Sequence, residues 1–370
     1  MDDTRGRRLG QPDWILLGAT LALLAIGLMM VYSASSHMSH VGFGDSAHYL
    51  KRQLLWLAIG FAAMLVVFWL PYEHWMKLSV PIMAATVLFL LILVIFGKGR
   101  QLLGPSVSPV ELAKLAVVIY IGHWLSSKGD LLRRLPYGLL PFTIMIGVVA
   151  GLVMAQPDLS EALVIVLVSV AMFFLAGADL MQFVIGFGGG IAAFVFVVQK
   201  LEPAMERVRP FLEDWQNPLT SSILQLRQGV IGLGSGGLLG LGPGNGRMKF
   251  WWLPLVHTDS IFSVVGEELG LVGCLALFAL FALVTYRGLR IAARAPDSFG
   301  ALLAAGVTCW ITFQALINVA VVTGTMPFTG IALPFVSVGG SSLITCMIGV
   351  GIVLSVSRTI PSEGSVARGS

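Results

Sequence analysis

Long apolar segments separated by short polar ones repeat along almost the whole chain. A transmembrane α-helix needs about 20 apolar residues to cross the hydrocarbon core of a bilayer. Ten runs of this kind are present, at 14–33, 53–70, 80–96, 110–124, 138–154, 162–176, 182–198, 261–286, 302–322 and 342–356. The pattern therefore predicts an all-α integral membrane protein with about ten transmembrane helices.

Composition agrees with this interpretation. Of the 370 residues, 56% are hydrophobic and only 11% are charged, whereas a soluble domain has roughly 25% charged residues. The net charge of +4 is too small to indicate a nucleic-acid-binding protein. Cys274, Cys309 and Cys346 lie inside apolar runs without CxxC spacing, so we expect neither a disulfide framework nor a zinc site.

Lysine and arginine in the short loops predict the orientation. Arg5, Arg7 and Arg8 precede the first run, whose length exceeds the roughly 7–15 residues of a signal-peptide core, so we expect a retained anchor. With the N-terminus inside, the inner segments carry twelve lysines and arginines, and the short outer loops carry four. We therefore expect cytoplasmic tails at 1–13 and 359–370 on either side of a membrane domain at 14–358.

This topology leaves one long outer loop, at about 199–260, between spans seven and eight. Its residues 202–215 have the amphipathic pattern of a helix lying in the membrane interface. Nine of the 18 residues from 229 to 246 are glycine, so we expect no regular helix there. A GxGxxG match at 232–237 has no βαβ context, which excludes a dinucleotide site. Ordered loops of this length are usually functional.

Ionisable residues cluster where spans four, six and eight begin, all on the predicted outer side. Such residues at membrane depth are functional candidates. Each start also allows a helix-capping interpretation, because Ser108 to Glu111 and Asp158 to Glu161 fit capping patterns and Asp259 could be a cap. Capping does not explain a lysine one turn inside span four. The residues concerned are Glu111, Lys114, Asp158, Glu161, Asp259, Glu267 and Glu268.

A glycine-rich basic stretch at 238–249 follows in the same loop. Glycines let backbone N–H groups approach an anion, and Arg247 and Lys249 add positive charge, so the stretch predicts a phosphate site. A re-entrant or close-packed loop is the alternative. His257 is the only histidine near this cluster, and the six histidines show no metal-ligand spacing.

Several short motifs resemble the SEDS (shape, elongation, division and sporulation) glycosyltransferases, a family that includes FtsW and RodA. The resemblance extends from about residue 14 to 358, with the motifs in the family's order. They are Glu111-Leu112-Ala113-Lys114-Leu115, Gln156-Pro157-Asp158-Leu159, Gly234-Ser235-Gly236-Gly237-Leu238, Leu253-Pro254, His257-Thr258-Asp259, Gly266-Glu267-Glu268-Leu269-Gly270, Val321-Val322-Thr323-Gly324, Pro327, Thr329-Gly330-Ile331, Leu333-Pro334-Phe335 and Gly339-Gly340-Ser341-Ser342.

The resemblance implies an enzyme that polymerises lipid II into glycan strands at the outer face of the bacterial cytoplasmic membrane. It implies a class B penicillin-binding protein as partner, together with other divisome or elongasome membrane proteins. It implies no certain cofactor and leaves a divalent cation open. Asp259 matches the family's catalytic base. The implied substrate-binding residues are Lys114, Arg247 and Lys249 toward the pyrophosphate, Glu111 and Asp158 toward the sugar or Lys114, and His257, Ser341 and Ser342.

The sequence departs from the family pattern in places. Ser160-Glu161 replaces Gly-Thr, Ser108-Pro109-Val110-Glu111 replaces Gln-Pro-Ser-Glu, Leu255-Val256 replaces Glu-Ala, Val338 replaces Tyr, and the loop near Arg100 lacks Arg-Arg-Trp. The segments at 31–35 and 48–53 favour an FtsW-type protein of the division septum over an elongation-type RodA homologue. A catalytically weak scaffold for the penicillin-binding protein is a further alternative. A lipid II flippase ranks last, because we find no inverted repeat.

Overall fold

The computed structural model describes residues 10–96, 108–156, 158–200, 202–214, 219, 221, 223–248, 258–327 and 329–360. Within these residues the chain forms α-helices and no strand. The helices are α1 (Trp14–Phe43), α2 (His48–Trp69), α3 (Glu73–Ile95), α4 (Pro109–Lys128), α5 (Leu139–Met154), α6 (Leu159–Leu175), α7 (Leu180–Lys200), α8 (Glu202–Asp214), α9 (Leu224–Ser235), α10 (Ile261–Arg294), α11 (Ser298–Val322) and α12 (Gly340–Ser357).

The all-α prediction is confirmed, and each of the ten apolar runs overlaps one helix. In the described part of the chain, α1 to α4 and α10 to α12 are long and apolar enough to cross a membrane. Helices α5 and α6 are shorter and apolar, and α7 has 21 residues. The chain is a membrane protein of helical bundle architecture, while the count of ten spans stays a prediction.

Helices α4, α11 and α12 form the centre of the bundle. Two thirds or more of each apolar window is buried, against 22% for α2 and α3. Small residues allow the close approach that drives helix packing in membranes. A Cβ atom built on Gly306 of α11 would lie 2.8 Å from Val118 of α4. Polar side chains such as Lys114 of α4 and Gln314 of α11 are buried inside the protein rather than exposed to lipid.

Helices α2, α4, α6, α10 and α12 all begin at one end of the bundle, which we call the site end. Side-chain contacts fasten the opposite end. Asp13 accepts a hydrogen bond from the N–H of Leu16 at 2.9 Å, which caps α1, and it also pairs with Arg287 of α10. Asp297 caps α11 through the N–H of Gly300 at 2.8 Å and accepts the hydroxyl of Tyr72.

Helix α10 is broken at Gly270, whose backbone is non-helical (φ 65°, ψ −164°). Backbone groups freed by a break at membrane depth must find partners within the protein. Residues 236–248, which we call the glycine segment, supply them. Leu241 and Gly242 donate to the carbonyls of Glu267 and Glu268 at 2.9 and 3.0 Å. On the other side of the break, Leu271 and Val272 donate to the carbonyls of Gly237 and Leu238 at 3.0 and 3.2 Å.

The glycines allow this segment to fit the break. A Cβ atom on Gly236 would lie 1.9 Å from the carbonyl oxygen of Gly266, and one on Gly240 would lie 2.2 Å from that of Glu268. Since real Cβ atoms never approach so closely, no other residue could occupy these two positions without moving the backbone. The close-packed alternative for the glycine-rich stretch is the one that the structure shows.

Two predictions for the long loop have different outcomes. The amphipathic segment forms α8, as expected. The expectation that residues 229–246 avoid regular helix is wrong for 229–235, which belong to α9. The reason is tertiary packing, because a Cβ atom on Gly229 would lie 3.0 Å from the hydroxyl of Ser263 on α10. These glycines bring two helices together instead of breaking one.

Candidate active site

A buried cluster surrounds Lys114 near the start of α4. The ammonium group lies 2.9 Å from Glu111 Oε2 and 2.7 Å from Glu161 Oε2 of α6, and it donates to Gln314 Oε1 of α11 at 2.7 Å. The ring of Trp310 lies 5.4 Å away. These four polar residues, which we call the Lys114 cluster, join three helices at the site end.

The surroundings of Lys114 bear on the role expected for it. An ammonium has three N–H donors, and the three oxygens of the cluster match that number. The lysine side chain is only 1% exposed. In this arrangement the charge of Lys114 faces oxygen atoms of the protein itself, and its direct contact with a pyrophosphate stays a prediction. The other expectation, that Glu111 holds Lys114, agrees with the structure.

Helix capping does not explain the acidic residues at the starts of α4 and α6. Ser108 and Asp158 occupy the N-cap positions of α4 and α6, yet neither makes a side-chain cap hydrogen bond. The N-cap of α10 is Ser260, not Asp259. The capping interpretation is therefore wrong for α4 and α6, where Glu111 and Glu161 pair with Lys114 instead, and it stays a prediction for Asp259.

Asp259 lies in the turn just before α10 and is half-buried. Its backbone carbonyl accepts a hydrogen bond from Asn318 Nδ2 of α11 at 2.9 Å, and the same amide nitrogen donates to the carbonyl of Ile331 at 2.7 Å. Gly330 lies against the carboxylate, because a Cβ atom there would be 3.0 Å from Asp259 Oδ2. Asp259 therefore faces the connection between α11 and α12.

That connection joins Asp259 to the Lys114 cluster. Gln314 Nε2 donates to the carbonyl of Ala332 at 3.0 Å, next to the carbonyl of Ile331 that Asn318 holds. Gln314 and Asn318 are four residues apart, or about 6 Å along α11. The cluster and the turn of Asp259 are thus neighbouring parts of one polar region.

Three further predicted residues lie at this end of the bundle. Ser341 Oγ accepts the N–H of Ser108 at 2.8 Å and so ties the start of α12 to that of α4. Ser342 is buried in the first turn of α12, and Asp158 is buried at the start of α6. Beside Asp158, Ser160 donates to the carbonyl of Thr329 at 2.7 Å.

Glu267 and Glu268 bind the backbone of the glycine segment. Glu268 accepts the N–H groups of Gly244 and Gly246 at 2.9 and 3.2 Å, and the hydroxyl of Ser33 at 2.6 Å. Glu267 accepts the N–H groups of Arg247 and Met248 at 2.6 and 3.2 Å. Both carboxylates are fully buried. We call this arrangement the amide clamp.

The amide clamp corrects the phosphate-site prediction. The backbone N–H groups that were expected to cradle an anion already donate to carboxylates of the protein. The side chain of Arg247 is exposed, so Arg247 remains a candidate for binding the pyrophosphate. Lys249 and His257 lie outside the described residues.

Sequence reasoning missed three residues of the site. Glu161 was named among the ionisable candidates but was given no role in the site, although it is as close to Lys114 as any other partner. Gln314 and Asn318 were passed over because they lie within an apolar run. Two amide side chains four residues apart on one helix face were the available signal. In the part of the chain that the structure describes, no group of three His, Cys, Asp or Glu residues could hold a metal ion.

Comparison with known proteins places the chain in a family. A family model described as "Cell cycle protein", FtsW/RodA/SpoVE, matches residues 14–361. The chain is 37% identical to a probable peptidoglycan glycosyltransferase FtsW of Trichlorobacter lovleyi, covering 98% of both chains. It is 38% identical to stage V sporulation protein E of Bacillus subtilis, covering 94% of this chain and 97% of that protein.

Solved structures agree. A chain of a peptidoglycan synthase complex that coordinates polymerization and crosslinking matches with a TM-score of 0.76 at 28% identity, covering 95% of this chain and 99% of that one. Rod shape determining protein RodA of Thermus thermophilus matches with a TM-score of 0.69 at 27% identity, covering 95% and 98%. The motifs, the helical fold and these matches over nearly the full length lead to one conclusion: the chain belongs to the FtsW/RodA/SpoVE family.

Proposed function

We propose that this protein is a peptidoglycan glycosyltransferase of the FtsW type, which polymerises lipid II into glycan strands for septal wall synthesis. Family membership and the full-length match to proteins named probable peptidoglycan glycosyltransferase support the activity. The observation that supports Asp259 as the catalytic base is its solvent exposure compared with that of the other carboxylates. Glu111, Asp158, Glu161, Glu267 and Glu268 are all buried, whereas Asp259 is half-buried.

Asp259 is the general base of the proposed reaction. Its carboxylate takes the proton of the acceptor sugar's 4-hydroxyl as that oxygen attacks the anomeric carbon of the donor. A new glycosidic C–O bond forms, the bond from the anomeric carbon to the lipid pyrophosphate breaks, and the pyrophosphate leaves with the electron pair. The proton then passes from Asp259 to water, so the base is restored.

The remaining predicted residues keep proposed roles around this step. The exposed side chain of Arg247 suits the developing charge on the pyrophosphate. Lys249 and His257 are proposed as further substrate-binding residues. Asp158 and Ser342 are proposed to contact the sugar. Glu111 and Ser341 act by holding Lys114 and the start of α4 in place.

The topology and the partner are also proposals. We place both termini, at 1–13 and 359–370, in the cytoplasm, with residues 14–358 as ten spans and the loop at 199–260 outside. A class B penicillin-binding protein is the proposed transpeptidase partner, which the match to a peptidoglycan synthase complex supports. A cysteine at Asn245, whose side chain is exposed, should be labelled from outside intact cells. If this cysteine were labelled only from the cytoplasmic side, the orientation would be the reverse of the one proposed.

Polymerisation by purified protein tests the function. The wild type should convert lipid II into glycan strands, alone or with a cognate class B penicillin-binding protein. A transpeptidase-inactive form of the partner keeps crosslinking out of the readout. Folded protein that makes no glycan with any partner would support the scaffold alternative, while movement of labelled lipid II across vesicle membranes without polymerisation would support the flippase.

A further inference from the structure

Helix α11 carries two buried amide side chains, Gln314 and Asn318, which are 0% and 1% exposed. A buried amide is expensive unless its donors and acceptor find partners. The two residues lie one turn apart, and both reach the connection between α11 and α12. Each amide can therefore stabilise the backbone of this connection.

Asn318 donates hydrogen bonds to two backbone carbonyl groups, that of Asp259 and that of Ile331. Both hydrogens of its amide nitrogen are used, one toward the carbonyl of Asp259 itself and one toward that of Ile331. A reversed amide would point its oxygen at two carbonyl oxygens, so the observed orientation is the one the contacts require. Asn318 thereby joins the turn before α10 to the connection after α11.

Gly330 lies against the carboxylate of Asp259. Its φ of +70° lies in the left-handed region, and a Cβ atom on it would be 3.0 Å from Asp259 Oδ2. Because Ile331 is the next residue, the hydrogen bond from Asn318 also fixes how closely Gly330 approaches Asp259. The amide of Asn318 therefore fixes both the backbone position of Asp259 and the position of Gly330 beside its carboxylate.

Gln314 anchors the same connection to the Lys114 cluster. Its oxygen accepts from Lys114 Nζ and from Trp310 Nε1 at 2.7 and 2.8 Å, while its nitrogen donates to the carbonyl of Ala332. The connection is thus fastened at two successive residues by side chains of one rigid helix.

We propose that Asn318 is a positioning residue that places the Asp259 carboxylate for proton abstraction from the acceptor sugar. The inference rests on the proposed function. A general base must lie within about 2.6–3.2 Å of the proton donor's oxygen, and a misplacement of about 1 Å can lower a rate by about 100-fold. Asn318 acts through Asp259 and need not contact the substrate.

The test compares purified Asn318→Ala and Gly330→Ala with the wild type and Asp259→Asn. Asn318→Ala releases both carbonyls, and Gly330→Ala pushes on the carboxylate without touching Asn318. Both should lower kcat for lipid II by about 10- to 100-fold and leave KM within about threefold. Thr312→Val is the matched control, since it removes a 2.8 Å hydrogen bond between the hydroxyls of Thr312 on α11 and Thr285 on α10, away from the site. Its kcat should stay at the wild-type value.

A combined variant separates positioning from general damage to the fold. In the Asp259→Asn background, Asn318→Ala should cause no further loss of the residual rate, because there is no base left to position. A purely structural role would lower that residual rate by the same factor as in the wild type.

Other results would overturn the positioning role of Asn318. Folded Asn318→Ala with wild-type kcat overturns it, and so does an additive loss in the combined variant. If Asn318→Ala does not fold, Gly330→Ala decides, and a wild-type kcat there also overturns the inference. An inactive wild type would instead refute the proposed function, whereas an Asp259→Asn enzyme with wild-type kcat would refute the assignment of the base, and the positioning role would fall in either case.

Discussion

Two pairs of buried carboxylates lie at the site end, and the protein stabilises them in different ways. Glu111 and Glu161 face the ammonium group of Lys114. Glu267 and Glu268 face backbone N–H groups of the glycine segment and the hydroxyl of Ser33. In the first pair a side chain brings a full positive charge, and in the second the chain wraps amide dipoles around the anions.

The difference teaches what each pair can do. The Lys114 cluster joins α4, α6 and α11 through side-chain contacts, so it fixes the positions of these three helices relative to one another. The amide clamp determines the path of one backbone segment through the break in α10. Neither pair is free for chemistry, because each carboxylate is buried and faces a partner inside the protein. This leaves Asp259, which is half-buried, as the carboxylate best suited to react.

The largest expected effect comes from removing the charge at the centre of the first pair. Lys114→Met leaves Glu111 and Glu161 buried and facing each other without their cation. Breaking a buried ion pair on one side typically costs about 3–5 kcal/mol. We expect a correspondingly large fall in the thermal unfolding midpoint of the protein in detergent.

The control is a triple variant, Lys114→Met with Glu111→Gln and Glu161→Gln. It removes all three charges and should recover much of the lost stability, since neutral groups of similar size carry no unpaired charge. A single Lys114→Met variant that is as stable as the wild type would contradict the assigned role of the lysine.

A smaller effect is expected at the amide clamp. Glu268→Gln keeps the shape but replaces one acceptor oxygen with an N–H₂ group that faces other donors. Hydrogen bonds to a charged group contribute about 1.5–3 kcal/mol, and we expect a loss of about that size. Limited proteolysis should also show faster cleavage within residues 236–248, because the clamp no longer holds them.

Ser33→Ala provides a graded comparison at the same carboxylate. It removes one donor to Glu268 and leaves the backbone donors in place, so its effect on stability should be smaller than that of Glu268→Gln. Equal protease resistance in the wild type and in Glu268→Gln would mean that something other than the clamp holds the segment.

The smallest effect is expected for Glu161→Thr, which restores the residue that the family pattern has at this position. Lys114 keeps Glu111 and Gln314 as partners, and the cluster loses an excess negative charge. The loss of stability should stay below the roughly 1.5–3 kcal/mol expected for Glu268→Gln, and polymerisation should continue. A loss as large as that of Lys114→Met would show that Glu161 is the main partner of the lysine.

The helices could be predicted from the sequence because a bilayer imposes one length and one polarity on every span. Runs such as 14–33 and 302–322 therefore corresponded to α1 and α11. The break at Gly270 could not be predicted in this way. Nothing in its local sequence requires φ of 65°, which depends on the glycine segment packed beside it.

The same distinction applies to the site. Asp259, Glu111 and Lys114 were identifiable because ionisable residues are rare at membrane depth. Their pairing was not, since Glu161 is 47 positions away from Lys114 in the chain and its partner depends on how α4 packs on α6. Asn318 is a neutral residue in an apolar run, and only the fold shows that its amide reaches the backbone of Asp259.

The most direct test of the central claim is the polymerisation rate of folded Asp259→Asn beside the wild type, with saturating lipid II and the same penicillin-binding protein. The substitution keeps the shape and removes the base, and general bases typically contribute about 100- to 10,000-fold. We predict a loss of kcat in that range with unchanged thermal stability. An Asp259→Asn enzyme that makes glycan strands at the wild-type rate would show that another group takes the proton.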